Sequence, residues 1–251
     1  MNEALKKLDE KKAELDALRP LPPELVKNLE EWFRVELTYT SNAIEGNTLN
    51  RQETALVVEK GITVDGKSIT EHLEAINHAE ALDYVKKLAQ ARRQDVKESD
   101  ISSLHQIILK KIDDGNAGKY RTMAVRIAGS EVILPNALKV PELMTAFVAW
   151  LKGAEGHPVD IAAKAHFDLV SIHPFVDGNG RAARLLMNLL LMQEGYPPAL
   201  VRKEDRRIYI NVVEKGQLTG NMDDFYQIIY DAVDRSMDIY LDAAEGKEPS
   251  V

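Results

Sequence analysis

Between residues 2 and 245 one pattern recurs: apolar side chains at three- and four-residue spacing, in stretches closed by Gly, Pro or Asn. Such spacing places the apolar groups on one face of an α-helix, and the breakers end each helix before the next begins. A chain of this kind buries its faces by stacking helix on helix, so the expected fold class is mainly α.

The leading stretch, residues 2–18, carries Leu5, Leu8, Leu15 and Leu18 among alternating charges, and "RPLPPE" ends it. Its apolar face suits either packing on the core or a homodimer seam. Pro22 and Pro23 open a second helix that runs to about Gly46. Further helices are expected over 51–59, over 70–93, from a Ser99 cap to the "DDGNAG" stretch, and over 140–152, 159–172, 180–194, 204–216 and 222–245. Residues 123–135, "MAVRIAGSEVILP", break the run. β-Branched stretches flank Gly129-Ser130, which predicts a short β-hairpin. The expected divisions are a leading helix and Pro-rich joint (1–23), an N-terminal segment (24–60), a core (61–245) and a flexible tail (246–251).

Composition limits the function classes. The chain has 251 residues, 45% of them hydrophobic, but no apolar run approaches the ~20 needed to span a bilayer, and no signal-like start is visible. It has no cysteine, which removes disulfides and thiolate metal sites and fits a reducing, cytoplasmic setting. A net charge of −8 argues against broad nucleic-acid binding. Of two local basic clusters, Arg202-Lys203 with Arg206-Arg207 reads as a solvated face; Arg181 with Arg184 is different.

That second pair follows "IHPFVDGNGRAAR", residues 172–184. Asp177-Gly178-Asn179-Gly180 cannot sit inside a helix, yet both flanks are helical, so the chain forms a tight loop feeding a helix N-terminus. Successive backbone N–H groups and the helix dipole make that place an anion site. Arg181 and Arg184, three apart, add guanidinium forks for phosphates. His173 offers a base on one side, and Asp177 a hard oxygen for Mg²⁺, which favours one or two carboxylates plus phosphate oxygens. Phe175 reads as a core anchor of the loop. His157, His166 and His173 do not read as a zinc site, because no paired-ligand pattern accompanies them.

The stretch is a complete match to the Fic motif, His-x-Phe-x-Asp/Glu-Gly-Asn-Gly-Arg-x-x-Arg, and the chain resembles that family over about residues 35–240. The resemblance implies a helical Fic-type bundle with a β-hairpin flap, and an enzyme that moves the AMP part of ATP onto a Ser, Thr or Tyr hydroxyl of a target protein. It implies His173 as general base, Asp177 as the Mg²⁺ ligand, Gly178, Asn179 and Gly180 as the phosphate cradle with Arg181 assisting, and Arg184 on the γ phosphate. Tyr209 falls where Fic proteins often contact adenosine.

Upstream, Ser41-Asn42-Ala43-Ile44-Glu45-Gly46 matches the Fic inhibitory motif Ser/Thr-x-x-x-Glu-Gly/Asn. Ser41 and Glu45 are four apart and share a helix face. The resemblance implies the subclass with an N-terminal inhibitory helix, in which Glu45 takes the Arg184 fork and Ser41 holds the helix in place. It also implies that residues 123–135 dock the target by main-chain pairing, and that automodification accompanies the activity. Two other readings of the same residues stay open: removal of AMP, with Glu45 positioning water, and a non-catalytic ATP-sensing regulator.

Overall fold

The computed structural model describes residues 3–247, and the helical expectation holds along that length. Ten α-helices follow in order: α1 Glu3–Ala17, α2 Pro23–Ile44, α3 Arg51–Lys60, α4 Ile69–Leu88, α5 Glu98–Leu109, α6 Val140–Gly153, α7 Pro158–Ile172, α8 Asn179–Gln193, α9 Arg206–Thr219 and α10 Asp223–Ala244. Short 3-10 turns lie at Arg93–Asp95, Ala137–Lys139 and Lys203–Asp205. Of the expected flexible tail, residues 248–251 lie outside the described residues.

Local chemistry sets the ends. Pro23 starts α2 where an unpaired N–H costs nothing. Capping boxes open α3 (Asn50 with Glu53) and α4 (Ser68 with Glu71), each satisfying two orphan amides. Two boundaries differ from expectation. α4 stops at Leu88, because Arg93 is drawn across to donate to the carbonyls of Leu151 and Ala154 at 2.7 and 2.8 Å, which turns the chain. α5 begins at Glu98, with Asp100 accepting the Lys97 amide at 2.8 Å, so Ser99 lies inside the helix and does not cap it.

α8 is the hub. Every residue from Arg181 to Leu191 is buried, and a helix buried all round needs neighbours all round, with polar partners for Arg181, Arg184 and Asn188. α7 packs along it, and α2, α4 and α5 also lie against it. α1 lays Leu5, Leu8 and Leu15 into the core, while Lys11 pairs with Asp234 and Asp238 of α10, so its apolar face is spent within its own chain. No described helix is long and apolar enough to cross a membrane.

The expected β-hairpin is not formed: no strand occurs among the described residues. Residues 123–135 make a loop whose tip is closed by one bond from the Ser130 amide to the Ile127 carbonyl, 3.2 Å. A two-stranded ribbon alone is marginal, and here its polar groups go elsewhere. The Ser130 hydroxyl and Glu131 amide both donate to Glu214 of α9, at 2.6 and 3.2 Å, and the ends of the loop are held by Arg121.

Candidate active site

The site forms where α7 hands over to α8, facing the end of α2. His173 is the C-cap of α7 and adopts the left-handed region, φ 50°, rare for a residue with a Cβ. Its Nδ1 lies 3.3 Å from the Val170 carbonyl, so Nδ1 carries the proton and Nε2 keeps its lone pair. Burial holds the imidazole below the usual histidine range, against the bond to Val170; Arg121 lowers it further, and Asp177 and Glu45 raise it. Near neutral pH this is a base.

Phe175 is wholly buried and stacks face to face on the His105 ring at 3.7 Å. His105 is a loop anchor that sequence reading missed. Its Nδ1 accepts the Gly118 amide (2.9 Å), so its Nε2–H donates to the Asp177 carbonyl (2.8 Å), and burial pushes its pKa down to about 4. Gly178 sits at φ 75°, and a Cβ there would stand 3.2 Å from the same ring. Asn179 turns its side chain back into the loop, accepting the Phe175 amide at 2.9 Å and donating to its carbonyl at 3.0 Å. The Asn179 side-chain amide is therefore spent within the loop, and the donors the loop has left are backbone N–H groups.

The two arginines have different surroundings. Arg181 spans Glu74 (2.9 Å) and Asp177 (3.1 Å) and is 2% exposed. Glu74, 107 residues away, is also held by Asn47 at 2.8 Å, just past α2. Arg184 lies deeper. Its Nε donates to the Ser41 hydroxyl (3.0 Å), its Nη2 to the Ser41 carbonyl (3.0 Å) and to Glu45 (2.6 Å). So Ser41, Glu45 and Arg184, separated by about half the chain, meet. Gly180 admits this: a Cβ there would run into the Glu45 carboxylate. Arg206, read as part of a solvated face, donates to the Ile44 carbonyl at 2.6 Å and so caps α2.

Tyr209 is buried beneath Arg184. Its hydroxyl accepts from Arg184 Nη1 (3.4 Å) and donates to His166 Nε2 (2.7 Å). Burial, then Arg184, drives His166 down to about 3, so the ring is neutral and Nε2 can accept that bond. The remaining histidine of the dismissed zinc trio, His157, pairs with Asp9 away from the site. A cavity of about 220 Å³ joins these groups, walled by Glu45, His173, Gly180, Arg184, Tyr209 and Glu214, by apolar Ile44, Val170, Ile210 and Val213, and by the 127–130 turn. Its lining combines a few charged and polar groups with an apolar wall, the usual make-up of a small-molecule site. A larger groove, about 670 Å³, lies between Arg19-Pro20 and Tyr196, but Arg19, a charged group on its wall, is spent on Asp16 and the Gly195 carbonyl.

Asp177 fits a magnesium ion in its donor chemistry. Its side chain is 71% exposed beside the anion loop, and one oxygen, Oδ2, is engaged by Arg181. A hard carboxylate open on the phosphate side is what that ion needs from a protein.

Comparison with known proteins gives the chain relatives. The profile described as "Fic/DOC family" matches residues 95–191. The protein adenylyltransferase Fic of Culex quinquefasciatus is 35% identical over 238 residues, covering 94% of this chain and 47% of that protein. The chain spans about half the length of such curated relatives. A crystal structure of a Fic domain containing signaling protein from Bacteroides thetaiotaomicron superposes with a TM-score of 0.88 at 30% identity, covering 99% of each chain. Fic-1 from C. elegans, residues 134–508, superposes with a TM-score of 0.88 at 29% identity, covering 97% of this chain and 72% of that one.

Proposed function

The chain belongs to the Fic/DOC family, and from that premise we propose that it is a protein adenylyltransferase held in check by its own α2. The substrates are ATP and a Ser, Thr or Tyr hydroxyl on a protein, which includes this protein itself. The observation that carries the reading is the Glu45–Arg184 pair at 2.6 Å, placed over Gly180 and in the same cavity as His173.

His173 Nε2 takes the hydroxyl proton as the oxygen attacks the α phosphorus of ATP. The P–O bond to the β phosphate breaks, and pyrophosphate leaves. Backbone N–H groups from Gly178 to Gly180, at the N-terminus of α8, hold phosphate oxygens, and Arg181 keeps Asp177 and the loop in register. Asp177 would hold a magnesium ion, which when bound would neutralise phosphate charge. Arg184 binds the γ phosphate only when Glu45 has left its fork; until then ATP meets a carboxylate where its own charge should go.

A second reading rests on one feature: Glu45 and His173 wall the same cavity. A carboxylate there can orient water toward an AMP-modified side chain, so the same site would remove AMP. Wild type, Glu45→Gly and Glu45→Gly/His173→Ala, incubated with α-labelled ATP and Mg²⁺, test the first reading. Label on Glu45→Gly alone is expected. No label on any of the three, with ATP bound, sinks it and favours removal or a sensing role.

A further inference from the structure

We propose that Arg121 is a positioning residue that couples the 123–135 loop to His173, so that whatever docks on the loop also sets the base. The inference rests on the adenylyltransferase reading for its consequence, but not for its geometry.

Arg121 is 3% exposed and gives every arm of its guanidinium to a backbone carbonyl. Nε donates to His173 at 2.7 Å, Nη1 to Met123 at 3.2 Å and Nη2 to Pro135 at 2.7 Å. Its own amide donates to the Pro174 carbonyl at 2.9 Å. One flat group thus ties the first and last residues of the loop to the residue that carries the base. No carboxylate among the described residues pairs with it, and burial alone lowers its pKa. Burying a guanidinium against carbonyl dipoles without a counter-ion is costly, and a chain that needed only a stapled loop has cheaper choices.

The fork is rigid: its N–H directions are fixed in one plane. A shift of Met123 or Pro135 therefore tilts the plane and moves the His173 carbonyl with it. His173 is the place where such a pull would tell, since its left-handed backbone persists only while its surroundings hold it. The exposed side chains of Met123 and Ile133 show which face of the loop an arriving chain would touch first. Charge adds to geometry. Arg121, Asp177 and Glu45 are the charged groups that act on the imidazole, and of these Arg121 alone favours its neutral form.

The test compares Glu45→Gly with Glu45→Gly/Arg121→Lys and Glu45→Gly/Arg121→Gln in the full chain, by amide hydrogen exchange and by AMP transfer. Lys keeps the charge but not the planar fork; Gln keeps part of the fork but not the charge. In both, exchange is expected to rise together over 123–135 and 170–176 while residues 183–191 of α8 keep the parent rate. kcat is expected to fall at least about tenfold with the KM for ATP within about twofold, as for a misplaced base. Faster exchange in 123–135 alone, with 170–176 unchanged, would overturn the coupling. So would a uniform rise that includes α8, which is loss of fold support only. If the Glu45→Gly parent transfers no AMP, the adenylyltransferase reading fails, and the exchange pattern still decides the coupling.

Discussion

The side chain of Asn179 reads both backbone groups of Phe175: it accepts the amide at 2.9 Å and returns a donor to the carbonyl at 3.0 Å. The motif asparagine is thus a strut across the turn. Asn179→Ala leaves two buried groups without partners, each costing about 1–3 kcal/mol. The variant is expected to unfold at lower urea and to bind ATP more weakly, because the amides of the cradle lose their aim. Unchanged urea midpoints would show that water replaces the strut.

Ser41 supplies two of the bonds to Arg184, but only one from its side chain. Ser41→Ala should therefore loosen α2 less than Glu45→Gly. A lost hydrogen bond of about 1 kcal/mol predicts roughly a fivefold rise in AMP transfer for Ser41→Ala, and a larger one for Glu45→Gly. Initial rates with labelled ATP check the order; Ser41→Ala exceeding Glu45→Gly would contradict it.

Gly178 has φ 75°, and a Cβ added to it would meet the His105 ring. Gly178→Ala brings a left-handed penalty of about 1–2 kcal/mol and a contact at 3.2 Å that presses on the His105 ring where it stacks on Phe175. Lower thermal stability together with weaker ATP binding is expected. A variant as stable as wild type would mean the loop has another conformation open to it.

Three buried histidines make the fold sensitive to acid. Burial, with Arg184 and Arg181 nearby, pushes His78 down to about 3; His166 falls to about 3 and His105 to about 4. In the unfolded chain each titrates near 6.5. The unfolded state therefore binds more protons between those values. Stability is at its full value above about pH 6.5 and declines as pH falls toward 4. Urea midpoints measured at about pH 7 and about pH 4.5 should differ in that direction; equal midpoints would place these rings in contact with water.

Much of the site was legible because it is contiguous. His173 to Arg184 is one turn and the start of one helix, so spacing alone placed a base, a carboxylate and an anion loop together. The helices were legible from period and breakers, apart from ends such as that of α4, set by distant Arg93. What sequence could not show is pairing across the chain. Glu74 reaches Arg181 over 107 residues, His105 lies in an ordinary apolar helix stripe, and nothing around Arg121 in the sequence marks its bond to His173. The hairpin itself was expected from β-branched residues, yet a strand needs a ladder, and here Glu214 and Arg121 take the polar groups first.

The pairing of Arg184 with Glu45 joins two parts of one molecule, so it has no concentration in the ordinary sense. On the proposed reading the carboxylate is a tethered rival of the γ phosphate, present at an effective concentration of about millimolar or above whatever the amount of protein. Diluting the protein leaves the pair as it was, and a phosphate group competing for Arg184, as proposed, would meet the same local opposition in every sample. Small displacements of α2, by contrast, change that local concentration steeply, because a rigid helix either presents its last turn to Gly180 or does not. How far Arg184 is occupied is then a matter of where one helix ends, and of how firmly Arg206 holds that end.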